Sequence, residues 1–394
     1  MGIGNYYRKF PEKSRSRWGR IPRIDLFLFF AALAVFTIVI VSRVVQKPAG
    51  PKFTEIYISS TCEEFFGRDI IAALIQEFEG QNPDMRILTT GIAQGGTNNA
   101  DIVFFDDTEF TGLIRTAERD DDKLSLVSLS PYIHNEPRTE QRAVPLVFFM
   151  DLFFYNVDIL KTAGNFRPPK TRDEFISTAR AVAKTGEAGE KVYSLGFGLN
   201  QEDPLALRRD IYPWIWAGRE AASDIITFFG QLNREGLLAP GTFEKNGAQR
   251  LKEFAEGKIA MMAGSARDIP FLRNAALNIN FSITSIPAMG FEKNRLGLSG
   301  IYAGISNNCT LQDEAWTFLA FIAGKKQILS AAIGAIPGIF PGIIPGEHIT
   351  KDPLYSKAWE IFEASDIVEF APDQPGDEES VHMIWERLRE ALVR

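Results

Sequence analysis

Two polar clusters directly follow apolar runs, and both consist of groups that trade hydrogen bonds. Asp106-Asp107 closes residues 100–105 (ADIVFF), and Ser60-Thr61-Cys62-Glu63 follows residues 52–59. A carboxylate accepts from two adjacent donors, and charge-assisted bonds are the strong ones. Asp106, Asp107, Thr61 and Glu63 are therefore candidate contacts for a polar solute. Each has a plainer alternative in helix capping, because hydroxyls at the N-cap and acids in the first turn satisfy orphan N–H groups. Trp214 and Trp216 stand two apart in YPWIWAG. On a helix they point about 200° apart, so at most one offers its face to a ligand. Tyr302, in SGIYAG, is a third aromatic candidate, with core packing as its alternative. Catalytic constellations are harder to find. There is no GxSxG elbow, P-loop or GxGxxG, and His134, His348 and His382 lie too far apart for an HExxH zinc site. Two cysteines rule out a multi-cysteine metal cluster and a disulfide-stapled scaffold. Paired carboxylates for hydrolysis stay open on abundance of acids alone, and nothing favours them.

The elements that hold these groups follow from periodicity. Residues 52–59 alternate as a strand, 65–79 carry helical apolar spacing, and 85–89 read as a second strand. Residues 100–105 are nearly all apolar, as in a buried parallel strand. Strand, helix, strand in this order predicts a βαβ sheet, whose ligands lie beyond the carboxyl ends of the strands. Both polar clusters sit there. Further on, 152–156 reads as a strand. Pro168-Pro169 is a stop, and Thr171 caps a helix with Glu174 three residues later as a capping box. Strands are expected at 191–199, 259–262, 281–287 and 298–305. Helices are expected at 210–216, 222–235, 248–254, 313–322, 356–364 and 379–392. Residues 331–346 contain Pro337, Pro341 and Pro345 and cannot form one helix.

The chain has 394 residues, 45% hydrophobic and 24% charged, which excludes a disordered or collagen-like protein. Its net charge of −7 hides an asymmetry: residues 1–52 hold ten Lys/Arg and two acids, and the remainder carries −15. So acidic a remainder repels nucleic acid, which needs cationic surface. The basic head precedes residues 26–41 (LFLFFAALAVFTIVIV), apolar except for Thr37. Extended to residues 24–45, with Arg43 snorkelling, this reaches about 33 Å and spans the hydrocarbon core. Seven basic residues before Asp25 keep the N-terminus cytoplasmic and send residues 46–394 outside. The head is long and no small-x-small site follows, so an uncleaved anchor is expected over a cleaved signal peptide.

Motif order then carries a resemblance. The strand ending in Asp106-Asp107, residues 123–133 (KLSLVSLSPYI), 153–164 (FFYNVDILKTAG), 168–175 (PPKTRDEF), 254–264 (FAEGKIAMMAG), Ser285-Ile286-Pro287, 298–306 (LSGIYAGIS) and 313–322 (DEAWTFLAFI) follow one another from residue 53 onward. In this order and spacing the chain resembles the extracytoplasmic solute-binding proteins of ABC importers, the sugar-binding branch typified by maltose-binding protein.

The resemblance implies an α/β, two-lobed periplasmic-binding-protein fold of the type II clamshell kind, here preceded by one transmembrane helix. The layout expected is a basic cytoplasmic segment (1–23), the anchor (24–45), a linker (46–52), an N-terminal lobe (53–148 and 303–335) and a C-terminal lobe (149–302 and 336–394). A carbohydrate-like solute, a sugar or oligosaccharide, would bind between the lobes without chemistry or cofactor, and ABC permease subunits would read lobe closure. Residues 24–45 would contact the lipid bilayer. A tethered sensor or scaffold that no longer transports is the alternative, and a carboxylate-based hydrolase a lesser one. The resemblance also adds candidate contacts. Asp151 lies beside the expected crossover, and Asn200 and Glu202 follow a strand end where the family often places polar contacts. Arg267 stands in GSAR, where the family often has an aromatic, and could grip a carboxylate in bidentate fashion. Cys62 and Cys309 fall in one lobe, either bonded or as two buried thiols.

Overall fold

The first supersecondary unit is built as the periodicity requires. Strands β1 (Thr54–Ser59) and β2 (Met85–Thr90) pair in parallel, Thr54 with Met85 through Ser59 with Thr90. Parallel neighbours need a crossover connection, usually a helix, and Arg68–Gln81 supplies it. Ile71, Leu74 and Phe78 form its buried stripe, and Phe78 meets Phe318 and Phe321 edge-on at 5.0 and 5.3 Å. The expected helix over 65–79 is two helices, Thr61–Phe66 and Arg68–Gln81. Gly67 separates them at φ 88°, a left-handed position that glycine adopts without strain.

The computed structural model describes residues 53–91, 100–106, 126–129, 131, 142–185, 191–203, 206–218, 221–276, 278–288, 295–337, 345–369 and 378–393. Apart from Phe53 they fall in one compact unit, Thr54–Arg394. The expected membrane segment 24–45 lies outside the described residues, and no helix among those described is long and apolar enough to cross a membrane.

The remaining described strands are β3 (Ile102–Asp106), β4 (Val144–Asn156), β5 (Tyr193–Leu195), β6 (Ile259–Ser265), β7 (Phe281–Thr284), β8 (Arg295–Ile305), β9 (Ile336–Pro337) and β10 (Asp366–Glu369). Hydrogen bonding runs in the order β2-β1-β3-β8-β4-β6-β5, with β10 on β8 and β7 and β9 on β4. Strand β4 carries the two-lobed architecture. Its first half, Val144–Met150, pairs antiparallel with β8; its second half, Asp151–Tyr155, pairs antiparallel with β6. One strand thus belongs to two sheets and changes allegiance between Met150 and Asp151.

Each sheet has its own core. Ile56, Ile58, Phe66, Phe78, Phe104, Phe149 and Phe318 pack together on the first. Phe153, Phe175, Trp214, Phe228, Phe229 and Leu388 pack together on the second. A third cluster, including Phe105, Phe148, Phe154, Phe254 and Tyr302, joins them along β4 and β8. Cys62 and Cys309 are both buried free thiols in the first core.

Where the elements differ from expectation, local chemistry explains it. Strand β4 begins at Val144 rather than 152, because burial on both faces leaves no alternation to read and Pro145 looks like a breaker. The proline sits at a register shift between Pro145 and Val147, where a ladder N–H is not needed. Strand β5 keeps only three of the nine expected residues. At the helix Arg172–Val182, Thr171 accepts from the Glu174 N–H at 3.3 Å. The Glu174 carboxylate takes the N–H of Lys170 at 2.7 Å, one residue before the cap.

Candidate functional site

The site grows from the middle of β4 and β8. Side chains alternate along a strand, so Phe149 and Asp151 share one face of β4. Phe149 lies across from Ser299. Asp151 is opposite Ser265 of β6. Strand β3 ends at Asp106, in register with Ile301. Asp106, Phe149, Asp151, Ser265 and Ser299, with Arg208, Arg250 and Arg267, line a crevice of about 380 Å³. Both sheets therefore contribute walls, as a ligand bridging two lobes requires.

Its electrostatics are unusual for a buried place. Asp151 is 3% exposed, and its carboxylate accepts from Arg208 Nη1 at 3.0 and 3.1 Å. The Arg208 guanidinium lies 4.5 Å from the centroid of the Trp216 ring. Burial pushes the Asp151 pKa up to about 6; Arg208 opposes that rise and nearby Asp268 adds to it. Gly297 makes the arrangement possible, since a Cβ there would lie 2.1 Å from Asp151 Oδ2 and 2.6 Å from the Trp216 ring.

A second ionic layer supports the first. Asp210 is fully buried and accepts from Arg250, from Arg209 Nη2 at 3.2 Å and from the Gly198 N–H at 2.9 Å. Arg250 also donates to the Ala263 carbonyl on β6. Asp203 takes Arg209 Nη1 at 2.8 Å. Burial works against the charge of Arg209, yet Asp210 and Asp203 outweigh it and hold its pKa above the ordinary value. For Arg250 burial dominates and the pKa is lowered despite Asp210. Such paired charges are costly to desolvate and costlier to break, which fixes the wall in one geometry.

Of the sequence candidates, Asp106, Asp151 and Arg267 line the crevice. Asp107 lies outside the described residues. Trp216 stands behind Arg208, at one remove from the crevice. The others are placed elsewhere. Trp214 is fully buried, edge-on to Phe153 and Phe175 at 5.4 Å, so it packs in the core. Tyr302 is buried and stacked on Phe105 at 6.0 Å. Thr61 donates to the Phe104 carbonyl at 2.8 Å and bonds Ser59 at 2.6 Å, tying β1 to β3. Glu63, in the first turn of its helix, pairs with Arg68 at 3.0 Å. Asn200 accepts from the Glu202 N–H at 2.8 Å and donates to the Glu244 carbonyl, so these residues shape a turn with Glu202 exposed. None of these six lines the crevice.

Arg208, Arg209, Arg250 and Ser299 were not foreseen. One signal existed: Arg208-Arg209-Asp210 interrupts an otherwise apolar stretch from Leu205 to Trp216, and charges at core-facing helical positions are seldom idle. Among the described residues no group of three His, Cys, Asp or Glu is placed to hold a metal ion. The arrangement offers fixed hydrogen-bonding and charged groups around a small crevice.

Solved structures share this fold. The cyclic alpha-maltosyl-1,6-maltose binding protein of Arthrobacter globiformis superposes with a TM-score of 0.67 at 15% identity, over 86% of this chain and 94% of that one. The sugar-binding protein MalE of Xanthomonas citri gives 0.64 at 15%, over 86% and 92%. UgpB of Mycobacterium tuberculosis, solved with glycerophosphocholine, gives 0.64 at 16%, over 88% and 99%. A binding protein of Brucella abortus (strain 2308) is 25% identical over 210 residues, 46% of each chain, so the match spans about half the length of that curated relative. Residues 73–357 match the family described as bacterial extracellular solute-binding protein, and this chain belongs to it.

Proposed function

We propose that the chain captures a polyhydroxylated, sugar-like solute in the crevice between its two sheets and presents it to an ABC importer. The lobes on this reading are 53–148 with 303–335, and 149–302 with 336–394. Residues 24–45 tether them to the cytoplasmic membrane, with 1–23 inside. One observation carries the reading: β4 runs through both sheets and changes partner at Asp151, so the crevice is lined from both sides of that crossing. A solute touching both walls favours the closed arrangement, and its work is differential binding rather than chemistry. The sugar and oligosaccharide binders among the structural relatives support the solute class. The full chain tests it. Mono- and oligosaccharides are screened by thermal shift, with product analysis alongside. A true solute at 100-fold its Kd adds about 2.7 kcal/mol and leaves unchanged. Turnover would make the protein an enzyme, and silence across the panel would remove solute capture. Extraction of the membrane fraction with carbonate tests the tether, which keeps the protein in the pellet.

A further inference from the structure

We infer that the solute carries an anionic group, carboxylate or phosphate, and that Arg267 receives it. This rests on solute capture in the crevice described above. Three of the four arginines lining the crevice are already answered by carboxylates: Arg208 by Asp151, Arg209 by Asp203 and Asp210, and Arg250 by Asp210. Arg267 is not. It is exposed and forms no ion pair among the described residues.

Its place is nevertheless built. It lies in the short turn Ala266–Asp268, fixed by a reciprocal cap: Ser265 Oγ accepts from the Arg267 N–H at 3.2 Å, and Asp268 accepts from the Ser265 N–H at 3.0 Å. The guanidinium sits 5.4 Å from the centroid of the Phe149 ring on β4. An arginine stacked in this way keeps its in-plane donors for a planar or tetrahedral anion. Asp268 Oδ2 accepts the Ser265 N–H. Asp106 lines the crevice from the other sheet, where it suits hydroxyls. The space, about 380 Å³, lies near the small end of the roughly 300–1,000 Å³ typical of ligand pockets, so one or two sugar rings fit better than a long chain.

The test is calorimetric titration of the full chain with galacturonate, glucose 6-phosphate, galactose and glucose, repeated with Arg267→Gln. The wild type is expected to bind one anionic sugar at least about tenfold tighter than its neutral counterpart. Whether galacturonate or glucose 6-phosphate shows the preference separates carboxylate from phosphate. Arg267→Gln should abolish the preference and leave the thermal midpoint unchanged, and added salt should weaken the anion alone. Equal affinity for charged and neutral sugars overturns the anion assignment, and a preference that survives Arg267→Gln overturns Arg267 as its receiver; solute capture stands in both cases. Silence toward these four and toward the wider oligosaccharide panel overturns both.

Discussion

Asp151 and Arg208 form a bidentate contact through one guanidinium nitrogen, at 3.0 and 3.1 Å, at the residue where β4 leaves one sheet for the other. They are 3% and 8% exposed. A buried pair adds little net stability against an apolar pair, but removing one partner strands the other charge. Arg208→Ala and Asp151→Ala should each cost about 3–5 kcal/mol, read by urea unfolding. The double variant should cost clearly less than the sum of the two. Additive losses would mean the two residues act independently.

The same carboxylate sets a pH dependence. Its folded pKa, about 6, lies above the ordinary aspartate range because of burial, with Arg208 pulling the other way. A group raised on folding contributes stability that is fully present below the unfolded pKa and is lost as pH rises through the folded one. Acidification from above 6 toward 4 should therefore stabilise the wild type relative to Asp151→Asn, which cannot titrate. Urea midpoints of both proteins across that window give the difference. A gap that widens in the opposite sense would place the Asp151 pKa below its ordinary value.

Gly297 is the steric condition for this pair. A methyl group there meets Asp151 Oδ2 at 2.1 Å and the Trp216 ring at 2.6 Å. Gly297→Ala should cost about 1–3 kcal/mol, the usual penalty of overpacking. It should also change the near-ultraviolet circular dichroism of Trp216. Gly80→Ala, where nothing lies within 4 Å and the residue is helical, should be neutral or slightly stabilising and serves as the control.

What could be read without coordinates was local. The parallel β1–β2 pair followed from alternation and helical spacing, the cap at Thr171 from its hydroxyl and Glu174, and Asp106 from its place after an apolar strand. Arg267 came from motif order. The ionic wall did not follow from any of these. Arg208 finds Asp151 57 residues away, and Arg250 finds Asp210 40 residues away. Such pairings are set by which strands adjoin, and β4, buried throughout, offers no alternation to reveal its length. Thr61 and Glu63 looked equally suited to a ligand and to a helix start, and the fold places them against Phe104 and Arg68, outside the lining of the crevice.

The two tryptophans of YPWIWAG close the comparison. Helix geometry separates them but cannot say which one turns inward. Trp214 does, with its indole N–H lacking a hydrogen-bond partner among the described residues. Trp214→Phe keeps most of the aromatic contacts and deletes that orphan donor, whose burial costs about 1–3 kcal/mol, so it should change stability little. Trp214→Ala opens a cavity and should cost about 3–5 kcal/mol. Neither should alter solute affinity once the protein is folded. Trp216→Ala removes the ring beneath Arg208, so it should weaken binding with a smaller loss of stability. Parallel urea unfolding and titration of the three variants separates the roles. A Trp214→Phe protein that folds normally but binds poorly would return Trp214 to the crevice.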